Sequence, residues 1–126
     1  DQVHEAVIQT KDLALEVAIP IIAGVQAGRA VDGRKDPMPT MADGQWCSSI
    51  EQTADKELAL LRPIREYTPE DEPIIKIGKN QYANTPELLA IRILKQRFDV
   101  GYGTYAVRFE PQTLRMTDYD VIGLEV

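Results

Sequence analysis

Lys95-Gln96-Arg97 closes an apolar run that begins at Leu88, and this pair of cations is the chain's clearest chemical feature. At a strand end, side chains project from a rigid support toward whatever packs there. An arginine's planar fork matches phosphate oxygens, whereas a lysine acts as a compact point charge. An arginine delivered to another subunit's nucleotide can neutralise charge on a transferring γ-phosphate, an effect worth orders of magnitude in rate. Alone, the tripeptide also fits an ordinary solvated strand terminus. The trans reading expects Lys95 and Arg97 to project outward toward a triphosphate on a different polypeptide; cations folded inward onto this chain's own carboxylates, with no route to an adjoining copy, would overturn it.

The chain's own means of gripping a phosphate are poor. A Walker loop needs Gly, four residues, then Gly-Lys-Ser/Thr, so that backbone amides and the lysine cradle the phosphates. Gly78-Lys79 offers the one Gly-Lys step, but Pro73 stands where the first Gly belongs and Asn80 replaces the Ser/Thr. No apolar strand ending in paired carboxylates precedes the first predicted helix to hold magnesium. The chain by itself is therefore not expected to bind or hydrolyse ATP in the P-loop manner. With 1 Cys and 1 His it lacks ligands for a Cys/His zinc site and cannot form an internal disulfide, so no metal site is expected. His4 falls on the polar side of a predicted helix and reads as solvated, and Cys47 has no visible activating base. No Ser-His-Asp, Cys-His or paired-carboxylate arrangement stands out.

A length of 126 residues sets one domain as the expectation. The formal charge of -6 disfavours a free-standing, charge-driven nucleic-acid binder, which needs clustered Lys and Arg. The acidity is uneven: Glu66, Glu70, Asp71 and Glu72 share one stretch, while 29–35 is slightly basic. No apolar run has the length of a membrane span, no signal peptide opens the chain, and the lone Cys suits a reducing, cytoplasmic setting. The start at Asp1, without Met, suggests a cut or processed N-terminus.

The elements that must position these residues follow from periodicity. Val3, Ala6, Val7, Leu13, Ala14 and Val17 fit one face of a helix over 3–17, which Pro20 stops. The nearly unbroken apolar run 19–25 has the pattern of a strand buried on both faces, with Gln26 at its tip. Gly and Pro residues make the next twenty positions a long loop. Ser48-Ser-Ile-Glu51 and Ser49-Ile-Glu-Gln52 each fit a capping box, predicting a short helix. A strand is predicted over 57–62. The 65–87 stretch reads as loop-like, with a short edge strand possible at Ile74–Ile77. The strongest strand is 88–96, its hairpin partner 103–109, and a short third strand fits 114–116. Helix, strand, loop, helix, strand and hairpin make an α/β chain.

Two segments carry a resemblance. Arg29-Ala-Val-Asp-Gly-Arg-Lys-Asp-Pro-Met-Pro-Thr-Met-Ala-Asp43 runs into Ser49-Ile-Glu-Gln-Thr-Ala-Asp55, and Leu94-Lys-Gln-Arg97 is followed by Gly101-Tyr-Gly-Thr104. Together they resemble the C-terminal half of the RecA-like motor domain of DnaB-family replicative DNA helicases. The resemblance covers about 6–116, apart from 65–87, which looks like an insertion. It implies a partial RecA-like α/β sheet, of the P-loop NTPase type, that ends in an antiparallel hairpin and lacks the P-loop half. It implies a ring ATPase of DNA replication, a hexamer, acting on single-stranded DNA, with ATP and Mg held by a neighbouring P-loop-containing subunit. Lys95 and Arg97 would then be catalytic and ATP-binding in trans, Arg97 as arginine finger, and Gln26 would sense the γ-phosphate. Arg29, Arg34, Lys35, Gln45, Trp46 and Ser48 would form the DNA-facing set.

The pattern is not intact. Phe98-Asp99 replaces the family's Asn-Gly after Lys-Gln-Arg. Asp43-Gly44-Gln45-Trp46-Cys47-Ser48 replaces Asp-Leu-Arg-Glu-Ser-Gly, losing a phosphate-binding arginine and a glycine. Trp46 suits either base stacking or a hydrophobic contact. Glu51, Gln52 and Asp55 imply a structural role, holding the DNA loop against the sheet. The missing P-loop, the altered DNA loop and the acidity leave a second expectation. In it the chain is a non-catalytic RecA-like interaction or oligomerisation module, driven by an exposed sheet edge.

Overall fold

A computed structural model describes residues 2–26, 35–40, 47–98 and 101–124. The backbone divides into two compact units, with the division falling inside two strands: 1–57 with 94–100, and 58–93 with 101–126.

The first unit is built on two helices, α1 (Gln2–Val17) and α2 (Cys47–Thr53). Val3, His4, Val7, Lys11 and Ala14 are the better covered positions of α1, the spacing of a single helical face. The more hydrophobic Leu13, Leu15 and Val17 are exposed. At its end Ala18 adopts a left-handed φ of 54°. The amide of Ile19 bonds back to the Ala14 carbonyl at 3.2 Å, the reverse-turn cap that glycine usually provides. Pro20 then prevents continuation.

The strand expected over 19–25 is not formed. That segment has no regular secondary structure and no strand partner among the described residues, and Ile22 is 98 % exposed. A strand buried on both faces needs neighbours on both edges to take its backbone hydrogen bonds. The described residues provide none. Gln26 therefore sits in an exposed coil rather than at a strand tip.

The second unit holds two sheets. The larger has the order β1-β4-β5-β6, from β1 (Lys56–Leu61), β4 (Leu88–Gln96), β5 (Gly103–Glu110) and β6 (Arg115–Asp118); the first residues of β1 and the last of β4 belong to the other unit. β4 and β5 pair antiparallel with Leu88 opposite Arg108, and β5 and β6 with Val107 opposite Asp118. Between β1 and β4 lie a single helical turn, α3 (Pro63–Glu66), and two more strands, β2 (Ile74–Ile77) and β3 (Asn80–Ala83). These pair antiparallel, and β7 (Gly123–Leu124) joins β3 to complete the smaller sheet.

The stretch read as loop-like over 65–87 thus contains a β-hairpin, of which only the first strand was expected. Gly78 and Lys79, tested above as a phosphate loop, form its turn. Gly78 has φ 64° while Lys79 stays in the ordinary region, the form in which glycine occupies the first central position.

The core of this unit gathers Ala59, Ile77, Tyr82, Leu88, Leu89, Ala90 and Tyr119. The Tyr119 hydroxyl lies 2.6 Å from the Thr85 hydroxyl and donates to the Ala83 carbonyl at 2.9 Å. Buried Asn84 donates to the carbonyls of Tyr67 and Glu72, tying the turns on either side of the acidic stretch.

Candidate nucleotide-facing site

The two cations singled out by sequence lie in the first unit, at the C-terminal end of β4, and both engage α2. The last carbonyls of a helix have no partner within it and carry the negative end of its dipole. Lys95 Nζ donates to the Glu51 carbonyl. Arg97 Nη2 donates to the Gln52 carbonyl at 3.0 Å, and Arg97 Nη1 to Asp55 Oδ1 at 3.0 Å. The Arg97 backbone amide also donates to the Asp55 carbonyl, at 2.9 Å. The Lys-Gln-Arg and Ser-Ile-Glu-Gln-Thr-Ala-Asp motifs are therefore one bonded assembly. The expected outward projection is met only in part. Both side chains are held by their own chain, although that of Arg97 remains 38 % exposed.

A third cation completes the group. Lys11, from the covered face of α1, forms an ion pair with Asp55 Oδ2. Asp55 thus bridges Lys11 and Arg97. The Lys11 hydrogen bond comes first among the causes that hold its carboxyl below the usual aspartate range. Desolvation opposes it, and the fields of Lys11, Arg97 and Lys95 add to it. Glu57 goes the other way: partial burial, then the charge of Glu51, push its carboxyl above the usual range, against the pull of Lys95. Glu57 Oε2 is buried without a hydrogen-bond partner.

Neither Lys11 nor Asp55 was in the predicted site. Asp55 carried its own motif and was expected to be structural, and Lys11 repeats His4 and Val7 at helical spacing. His4 was read as solvated, but its ring nitrogen Nδ1 lies 2.7 Å from the hydroxyl of buried Ser49. Ser49 is inside α2 rather than capping it, because the helix already begins at Cys47. The predicted capping role thus gives way to a bond between α1 and α2.

Of the expected DNA-facing set, Arg29, Arg34, Gln45 and Trp46 lie outside the described residues. Lys35 and Ser48 are exposed. Between them Pro37 and Met38 are buried, and the Met38 amide donates to Asp36 Oδ1 at 3.1 Å, a local turn. Among the described residues no group of His, Cys, Asp and Glu side chains could hold a metal ion, and no helix is long and apolar enough to cross a membrane.

The mixed α/β fold with its antiparallel sheet is RecA-like. A solved ATPase-domain structure superimposes on 94 % of this chain with a TM-score of 0.74, at 24 % sequence identity, the match covering 37 % of that chain. The family model described as the DnaB-like helicase C-terminal domain matches residues 1–118. The chain belongs to that family. It is 35 % identical over 98 residues to a replicative DNA helicase DnaB of Helicobacter pylori, covering 77 % of this chain and 20 % of that protein. It is likewise 35 % identical over 86 residues to the replicative DNA helicase DnaC of Bacillus subtilis, covering 68 % of this chain and 19 % of the relative. The chain thus spans about a fifth of the length of these curated relatives.

Proposed function

We propose that this chain works as part of a replicative DNA helicase motor, contributing Lys95 and Arg97 to ATP and Mg held by the P-loop of a neighbouring subunit. The motor is a ring, hexameric by resemblance, that draws single-stranded DNA past the tract containing Arg29, Arg34, Lys35, Gln45, Trp46 and Ser48. Gln26 would sense the γ-phosphate once a neighbouring strand pairs with 19–25 and fixes it. The fragment alone hydrolyses nothing, since it has no phosphate-cradling loop.

The observation that carries this reading is the pair of cations brought together on one support, in a chain of this family. A guanidinium has more N–H donors than the two side-chain contacts of Arg97 use, and an ammonium more than the single contact of Lys95. Each can keep its helix-end partner and still reach an anion. The test is Arg97→Ala in the motor assembled with a P-loop-bearing subunit. ATP hydrolysis should fall by about 10³-fold or more, the range of a lost arginine finger. Nucleotide binding, followed by a fluorescent ATP analogue, should remain. Unchanged turnover would refute the role.

A second reading has its own support. Lys95 and Arg97 satisfy the end of α2, as structural caps do, and the 19–25 run is exposed and apolar. A non-catalytic module that oligomerises through an uncovered edge would use both features. Light scattering on the chain without nucleotide distinguishes them: a stable dimer or larger ring favours the module.

A further inference from the structure

Two segments distant from Asp55 in sequence converge on it. Asp55 Oδ2 receives Lys11 from α1, Asp55 Oδ1 receives Arg97 Nη1, and the Asp55 carbonyl receives the Arg97 amide. Arg97 Nη2 meanwhile donates to Gln52, a different residue. One contact would leave a guanidinium able to swing about its stem. Two contacts from different nitrogens, to acceptors on different residues, fix the plane of the fork, and the backbone bond fixes its root. Lys11 does the same for Asp55, because a carboxylate anchored at both oxygens cannot rotate.

We propose that Asp55 is a positioning residue for Arg97, orienting the unspent N–H donors of the guanidinium toward a phosphate presented by a neighbouring subunit, with Lys11 locking Asp55 in place. This rests on the trans-arginine reading above. It differs from a plain surface ion pair in its consequence. An exposed pair contributes little to stability, whereas a group that holds a reacting residue in register changes rate out of proportion to stability. Asp55 need not touch nucleotide. The neighbouring charges Lys95, Glu51 and Glu57 accompany the cluster, so the arrangement is a mixed-charge clamp rather than a simple cationic patch. Its contribution is orientation.

The experiment uses the full motor assembled with its P-loop-bearing subunit and compares steady-state ATP hydrolysis for Asp55→Ala, Asp55→Asn, Lys11→Met, Arg97→Ala and the double variant Asp55→Ala/Arg97→Ala. Asp55→Ala should lower kcat by about 10–100-fold, the range for an outer-shell orienting group, with KM for ATP little changed. Asp55→Asn keeps an acceptor oxygen and should fall between Asp55→Ala and the parent. Lys11→Met leaves Asp55 in place and should lower kcat by a smaller factor. The double variant should be no slower than Arg97→Ala alone, because Asp55 acts only through Arg97. Wild-type kcat in Asp55→Ala, or losses that multiply in the double variant, would overturn the inference. Should Asp55→Ala fail to assemble, Asp55→Asn and Lys11→Met carry the test, and wild-type kcat in both would overturn it. Normal turnover in Arg97→Ala instead removes the trans-arginine reading, a failure distinct from a silent Asp55.

Discussion

Leu88 opens the strand that ends in the two cations, and its replacement offers the sharpest test of the packing. Leu88 is 0 % exposed, and Leu89, Ala90 and Pro63 are buried too. Leu88→Ala removes a cluster of buried methyl and methine groups worth about 2 kcal/mol in transfer alone, at about 0.8 kcal/mol each. A cavity penalty adds to this wherever the surroundings cannot collapse. Collapse is hindered here because the Leu88 amide is bonded to the Thr85 carbonyl at 3.1 Å and the residue is registered opposite Arg108. A loss of about 3–4 kcal/mol follows, a large part of a domain's stability. Urea unfolding should show a lower midpoint at unchanged slope, the mark of altered stability rather than altered compactness. Leu58→Ala is the control. The same chemistry at a site 56 % exposed should cost about 0.5 kcal/mol or less. Equal losses at the two positions, or a loss under about 1 kcal/mol at Leu88, would refute the assignment of the core.

Two further substitutions test local features. Leu114 is exposed and sits at φ 61° in the turn before β6, a conformation that costs a non-glycine residue about 1–2 kcal/mol. Leu114→Gly gives back part of that as unfolded-state entropy, so a net gain of about 0.5–1 kcal/mol is expected in thermal unfolding. A lower melting temperature would contradict it. For Glu57, the raised carboxyl pKa means the folded state holds the proton more tightly than the unfolded chain. Its favourable contribution is complete below the ordinary glutamate pKa and is lost as pH rises through the folded value. Glu57→Gln should therefore gain on the parent as pH rises above the ordinary glutamate pKa, read as the difference in urea midpoint. Parallel profiles would rule this out.

How far the sequence reached depended on whether an element's partners were local. The 88–96 strand and its hairpin partner were legible because alternation and a nearby turn contain most of what they need. The 19–25 run failed for the opposite reason. Its composition suits a central strand, but a strand exists only where other strands accept its backbone, and periodicity says nothing about them. The β2–β3 hairpin was half visible: the apolar Ile74–Ile77 run was noticed, but Gly78-Lys79 was weighed as a phosphate loop before it was weighed as a turn. In the site, Lys95, Arg97 and the structural Asp55 came from motif order, whereas Lys11 and the contact of His4 were missed. Their significance is a matter of which faces of α1 and α2 meet, information that lies forty or more positions away in the chain.

The convergence on Asp55 also bears on how the cluster can change state. A carboxyl held below its usual range stays ionised well into acid, and its stabilising contact is lost only as pH falls through that lowered value. Arginine does not deprotonate at all under such conditions. Near neutrality, then, Asp55 stays ionised, and a proton on its carboxyl cannot be the signal that rearranges the cluster. A phosphate, with its charge and its match to a planar fork, suits the guanidinium donors that Asp55 and Gln52 leave unspent. The Arg97 side chain is 38 % exposed, so those donors stand at the edge of water while the contact with Asp55 is kept. The same exposure that makes this ion pair a weak source of stability leaves Arg97 accessible to an approaching anion.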